Sequence, residues 1–342
     1  MQERIIRNKI TIISFISSLL VIYFHTRNLN AYGIDEATKG IGHLCYLIET
    51  RTEGLVGLAN PIFFFISGLL FFRTYELKNT LQKYKSRYYS LVIPYIIWCT
   101  FYYLCFVLLS SNVATKNIIP IDMIRELSII SWVKSLFSES YYVLWFLKNL
   151  IIFVCISPAL YLLLKNHKKN LPSGLLVLFL IVIVFMNYCN IELLSGIEYY
   201  LVGSYIGINH KDLLFYQNRI ISCISVIYLI VITITGYKYT GYIFDLLFII
   251  SLWFVFDLFN LEIELPWWMS ITFFSYVIHD AFLELFEKIL FLLFNNNHLI
   301  ALLDYILMPI VVELVIIIFA YLLNKYLPKI YMVITGSRRI KA

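Results

Sequence analysis

Apolar residues in this chain come in long blocks rather than in the alternating or three-to-four spacing of soluble elements. Ten blocks are long enough to cross a bilayer as helices, which takes about 17–25 residues. They run over 10–26, 54–72, 89–110, 143–164, 171–188, 193–209, 220–236, 242–259, 267–294 and 299–323. Two long polar stretches, 27–53 and 111–142, and several short charged connections separate them. Asn295-Asn296-Asn297 reads as a turn between the last two blocks. The pattern predicts an all-α, polytopic membrane protein of about ten transmembrane helices, a single domain over 1–342 with no appended soluble domain.

Composition agrees. The chain is 61% hydrophobic and only 14% charged, with a mean hydropathy of +0.81, whereas a soluble domain carries roughly 25% charged residues. Charge placement then predicts orientation, because Lys and Arg collect on the cytoplasmic side. With the N-terminus inside, the inner segments hold 18 basic residues and the outer ones 7. Both termini are therefore expected in the cytoplasm, and both long polar stretches outside. One inner loop breaks the trend, carrying Asp257, Glu262 and Glu264 and no base. The net charge of +6 follows this topology and does not indicate a nucleic-acid partner. The first block, preceded by Arg4, Arg7 and Lys9, is followed by Phe24-His25-Thr26-Arg27 rather than a small-residue cleavage site, so it reads as a retained helix. The six cysteines, at 45, 99, 105, 155, 189 and 223, have no metal-ligand spacing and read as small apolar residues. No metal is expected.

The ionisable residues inside the blocks carry the candidate chemistry, since such groups must pair or line a watery cavity. His25 closes the first block. Lys148, Glu198, Asp245, His279, Asp280, Glu284, Glu287, Lys288 and Asp304 all fall in the predicted outer half, and Glu313 near the middle. A polar chamber open to the outer face is the simplest arrangement. Plainer readings stand beside it: Glu284 and Lys288 are i, i+4 and can neutralise each other, and Lys148 can snorkel to the interface. His279 can serve a structural hydrogen bond, and the phenylalanine and tyrosine stripes read as lipid-facing surface and interfacial belt. On the inner side Arg73, Lys78, Lys83, Lys85 and Arg87 crowd one loop. Positive-inside bias accounts for such a loop, and a cradle for a phosphate-rich donor is the functional alternative.

The chain also carries an ordered set of segments: His25, Pro61-Ile62-Phe63-Phe64-Phe65-Ile66-Ser67-Gly68, Leu91-Val92-Ile93-Pro94-Tyr95-Ile96-Ile97-Trp98 and Leu144-Trp145-Phe146-Leu147-Lys148-Asn149-Leu150. Tyr199-Tyr200-Leu201-Val202-Gly203-Ser204-Tyr205-Ile206-Gly207 and Phe273-Phe274-Ser275-Tyr276-Val277-Ile278-His279 complete it. In this order the set resembles the acyltransferase-3 family of integral membrane acyltransferases. The resemblance implies transfer of an acyl group, acetyl first among them, from acetyl-CoA or another acyl-CoA to a hydroxyl of a surface or lipid-linked glycan. It also implies a multi-pass protein of the bacterial cytoplasmic membrane, in contact with membrane lipids and with no permanently bound cofactor. His25 matches the family's first-helix histidine and is expected to act as general base. Asp35 or Glu36 would orient it, Ser67 or Lys148 would serve the oxyanion, and His279 joins the catalytic candidates. Arg73, Lys83, Lys85 and Arg87 are the donor-binding candidates. The chain departs from the family pattern at Ala59, where the motif carries arginine, and at Ser14 or Phe15, where a base usually precedes the histidine. Arg51, Arg73 or Lys148 are the expected substitutes. The rival reading is a glycan exporter or flippase that uses the same polar chamber without acyl chemistry.

Overall fold

The computed structural model describes residues 2–111, 127–137, 142–165, 181, 194–235, 241–294 and 297–338. Among them every regular element is a helix: α1 (Gln2–His25), α2 (Ile41–Gly57), α3 (Ala59–Phe72), α4 (Thr80–Arg87), α5 (Ile93–Ser111), α6 (Ile129–Phe137) and α7 (Trp145–Cys155). There follow α8 (Ser157–Leu164), α9 (Ile197–Asn209), α10 (Arg219–Thr235), α11 (Tyr242–Val255), α12 (Thr272–Phe294), α13 (His298–Tyr326) and α14 (Pro328–Ile334). Four helical stretches among the described residues are long and apolar enough to cross a membrane: Gln2–His25, Ile41–Phe72, Leu77–Ser110 and His298–Tyr326. The exposed side of α13 is a continuous apolar strip of Leu303, Ile306, Leu307, Ile310, Val311, Leu314 and Ile318. A soluble surface rarely tolerates such a strip, so it faces lipid. The chain is an integral membrane protein.

The described residues fall into two compact units, one of 2–76 and 159–320 and one of 77–158 and 321–338. In the first unit α3 and α9 make the most extensive helix pairing, and small residues allow it. Gly68 lies so close to α9 that a Cβ there would sit 2.2 Å from the Tyr200 carbonyl oxygen. Gly203 and Gly207 present the same bare backbone to Phe65 and Leu69. This is the close approach that small residues four apart permit in membranes. Beside it, Tyr75 packs on Phe71, Phe72 and Tyr161, with ring centroids 5.2–5.3 Å apart. Phe64, Phe72, Phe274 and Tyr200 are fully buried. Part of the aromatic stripe expected to face lipid is therefore core, because large rings fill the space beside glycine-lined helix contacts.

At its first turns α1 is tied to the segment before α12. The Asn8 side-chain amide donates to the carbonyls of Leu261 at 2.8 Å and Ile263 at 2.7 Å. Lys9 forms a 2.5 Å ion pair with Asp257 and lies 4.5 Å over the Trp253 ring. The Arg4–Glu264 pair, at 3.5 Å, is exposed. Two of the three acids of the loop that broke the charge trend, Asp257 and Glu264, are thus paired with bases that begin α1. The Lys9 and Asp257 side chains are only 2% and 3% exposed, so removing one strands a buried charge at a cost of about 3–5 kcal/mol. Lys9→Met and Asp257→Leu are each expected to lower the thermal midpoint of the detergent-purified protein sharply, and the double variant to recover much of the loss. A double variant as damaged as the sum of the singles would show that the ion pair is not the cause.

Several sequence boundaries move. The expected loop 27–53 is a helix from Ile41 onward, since Gly42, Cys45, Glu49 and Val56 are buried at helical spacing; charged Glu49, Arg51 and Glu53 hid that period. The basic segment 73–88 is largely α4, which runs through a π-turn at Tyr88–Val92 into α5. The expected helix 143–164 breaks at Ile156 into α7 and α8, because Pro158 cannot donate to a helical carbonyl. The helix expected from 267 begins at Thr272, after a single turn at Trp267–Ser270. Asn297 caps α13 by accepting from the Leu299 and Ile300 amides. The expected helix 171–188, Cys189 and most of 111–142 lie outside the described residues.

Candidate active site

His25 and His279 come from opposite ends of the sequence and meet. Their ring centroids are 5.2 Å apart, in the first unit. The two helices that carry them, α1 and α12, pack along each other. His25 ends α1 and is half-buried; Phe24 meets its ring edge-on at 5.4 Å. His279 is completely buried. Its Nδ1 lies 2.8 Å from the Tyr276 carbonyl and 3.2 Å from that of Ser275. Both neighbours are acceptors, so Nδ1 carries the proton and Nε2 presents a lone pair. That Nε2 is buried without a hydrogen-bond partner among the described residues.

The same unit gathers further polar groups from several elements. Ser275 donates to Glu313 Oε1 at 2.9 Å, and Glu313 is 3% exposed. On the next turn of chain after α1, Asn28 donates to Asp304 Oδ2 at 2.9 Å and its backbone amide donates to Glu49 Oε2 at 3.3 Å. Thr52 and Tyr305 share a hydroxyl–hydroxyl bond of 2.5 Å, and the Tyr23 hydroxyl donates to the Ile306 carbonyl at 2.9 Å, in the turn before Pro309. The segment 26–40 is held over this region by Tyr32 and Ile34, which bury against Cys45 and Ala301.

The remaining candidates are dispersed. Asp35 is exposed and accepts from Thr38 within its own turn at 2.8 Å; Glu36 is exposed. Ser67 is half-buried on α3, beside the glycine contact. Lys148 is half-buried on α7, in the second unit. Arg73 ion-pairs with Glu3 and faces the Phe215 ring at 5.8 Å, in the first unit. In the second unit α4 carries Lys83, Lys85 and Arg87, and the last two line a cavity of about 420 Å³ with Tyr84, Tyr88 and Tyr89. Arg338 donates to the Ser90 carbonyl at 3.2 Å in the π-turn of this unit. Burial first, and then the charge of Arg87, holds its guanidinium below the usual range, at about 10. Glu284 and Lys288 pair with each other at the surface, the plainer of their two readings.

Sequence reasoning missed Asn28 and Glu49 because both fell in a presumed loop. The spacing of Gly42, Cys45, Glu49 and Val56 was the signal that a helix ran there.

A model of the acyltransferase-3 family, described as an acyltransferase domain, matches residues 8–325. The chain belongs to that family, and it is a membrane acyltransferase. No curated protein and no solved structure gives a significant match.

Proposed function

We propose that this protein moves an acyl group, acetyl in the simplest case, from acyl-CoA to a hydroxyl of a cell-surface or lipid-linked glycan at the bacterial cytoplasmic membrane. The observation that carries the reading is the buried contact between His25 and His279, with the His279 tautomer fixed by two carbonyls. In this mechanism the acceptor hydroxyl oxygen attacks the thioester carbonyl carbon while an imidazole takes its proton. The C–S bond then breaks, and the thiolate of coenzyme A leaves with that proton. An imidazole is suited to both transfers near neutral pH. His25 is the base; His279, locked by its carbonyl contacts, orients it and shares the positive charge that develops. His279 thereby takes the orienting role expected of Asp35 or Glu36, and the Tyr276 and Ser275 carbonyls hold His279 in turn.

The donor's phosphates fit Lys85 and Arg87, whose cavity combines two cations with three tyrosines and an apolar wall. Lys83 is a further donor contact in this reading, and Ser67 supplies a hydrogen bond to the oxyanion. The reading takes the basic segment to lie on the side where coenzyme A is found, as the placement of Lys and Arg favours.

The test is the O-acyl content of the surface polysaccharide, read by NMR in a deletion strain carrying the wild-type gene or an empty vector. Acyl signal that depends on the gene is the expected result. A change in the amount of glycan with no change in its acylation would overturn the proposal in favour of export.

A further inference from the structure

A second cavity lies in the first unit, between the chain that follows α1 and the later turns of α2. Arg27, Asn30, Glu49, Thr50 and Glu53 line it, with Leu29 between them, and its volume is about 280 Å³. One lining residue connects it to His25: the Arg27 guanidinium lies 4.3 Å over Phe24, and Phe24 packs on His25. Small-molecule sites usually run from about 300 to 1,000 Å³, so this one suits a single compact ring rather than a nucleotide. Its wall is polar and built. Glu49 is 4% exposed and accepts from the Asn28 amide. Thr50 is partly buried, and Glu53 pairs with Arg27 at the rim.

The charge around the cavity selects among ligands. Glu49 and Glu53 outnumber Arg27 on its lining, and Asn28, whose backbone amide donates to Glu49, donates its side-chain amide to Asp304. Asn28 Oδ1 and Asp304 Oδ1 are buried acceptors without a hydrogen-bond partner among the described residues. The two carboxylates on the lining call for donors, which a neutral hydroxylated ring or an ammonium supplies and a carboxylate or phosphate does not.

We propose that this cavity is the acceptor subsite, binding one neutral or amino-bearing sugar ring through Glu49, Thr50 and Asn30 and discriminating against uronic, sialic and phosphorylated sugars. The assignment of the ring as an acceptor rests on the acyl-transfer reading; the binding itself does not.

The experiment uses the full chain in nanodiscs, without donor, and reads saturation-transfer NMR of methyl glucoside, methyl glucosaminide and methyl glucuronide. The wild type is expected to bind the first two about tenfold or more tightly than the glucuronide, a usual scale for an unmatched charge. Glu49→Gln and the near-isosteric Thr50→Val are expected to weaken methyl glucoside about fivefold or more, the order of one hydrogen bond. Glu53→Gln, at the exposed rim, narrows the discrimination against the glucuronide. Thermal midpoints matching wild type establish that the variants are folded, and Thr50→Val and Glu53→Gln keep the test alive should Glu49→Gln unfold. Absence of binding to all three probes overturns the subsite, as does equal binding of the glucuronide or affinities unmoved by the variants. Acetyl transfer from acetyl-CoA to methyl glucoside is read on the same wild-type sample. Binding without transfer would defeat the acyl-transfer reading and leave the sugar site standing.

Discussion

His25→Ala is expected to lower acyl transfer by at least a hundredfold while the protein accumulates at wild-type level. General base catalysis by a positioned side chain contributes about 10²–10⁴-fold, equivalent to roughly 3–5 kcal/mol of barrier. The His25 ring is half-buried at the last turn of α1, so its loss leaves the helix and its anchors at Asn8 and Lys9 in place. His279→Ala is expected to reduce transfer comparably, and the double variant little further, because groups that act as a unit lose their effect together. The measurement is transfer of labelled acetyl from acetyl-CoA by purified protein, with thermal midpoints as the control for folding. A His25→Ala protein that transfers at more than a tenth of the wild-type rate would remove His25 from the chemistry. A double variant whose loss equals the product of the single losses would break the pair into two independent roles.

What the sequence made legible here was chemistry tied to position along an apolar block. His25 and His279 stood out because a titratable group within a membrane span is costly, and the structure brings their rings together across a separation of more than 250 residues. Their contact could not be read from spacing, since no local period relates α1 to α12. The ion pair of Lys9 with Asp257 was hidden in the same way: Lys9 stood among the bases ahead of the first block and Asp257 among the acids of a distant loop. Where local pattern failed, a competing signal had masked it. Charged Glu49, Arg51 and Glu53 disguised α2 as loop, although its buried positions recur at helical spacing. Pro158 divided one long apolar block into α7 and α8 without altering its hydropathy. The motif Ser67-Gly68 was recognised as a family feature, but its physical use, a bare backbone face for α9, required the partner helix to be seen.

That helix contact is where a single methyl group is expected to have its largest effect on stability. A Cβ on Gly203 would lie 2.0 Å from the Phe65 carbonyl oxygen and 2.9 Å from its carbon, and one on Gly207 would lie 2.6 Å from the Leu69 oxygen. The obstructing atoms are helical backbone, so no rotamer change relieves them; α3 and α9 must separate. Overpacking a close-packed interior costs about 1–3 kcal/mol, and parting a glycine-lined pair also gives up the dispersion contacts along it. Gly203→Ala is therefore expected to lower the thermal midpoint by several degrees, and Gly203→Leu to prevent recovery of folded protein. Gly57, at the end of α2, provides the control, because nothing lies within 4 Å of a Cβ built there. Gly57→Ala is expected to be neutral or slightly stabilising, through the reduced freedom of the unfolded chain. Equal midpoints for Gly203→Ala and Gly57→Ala would show that α3 and α9 do not pack on bare backbone. The phenylalanine and tyrosine cluster beside them would then have to carry the core of this unit.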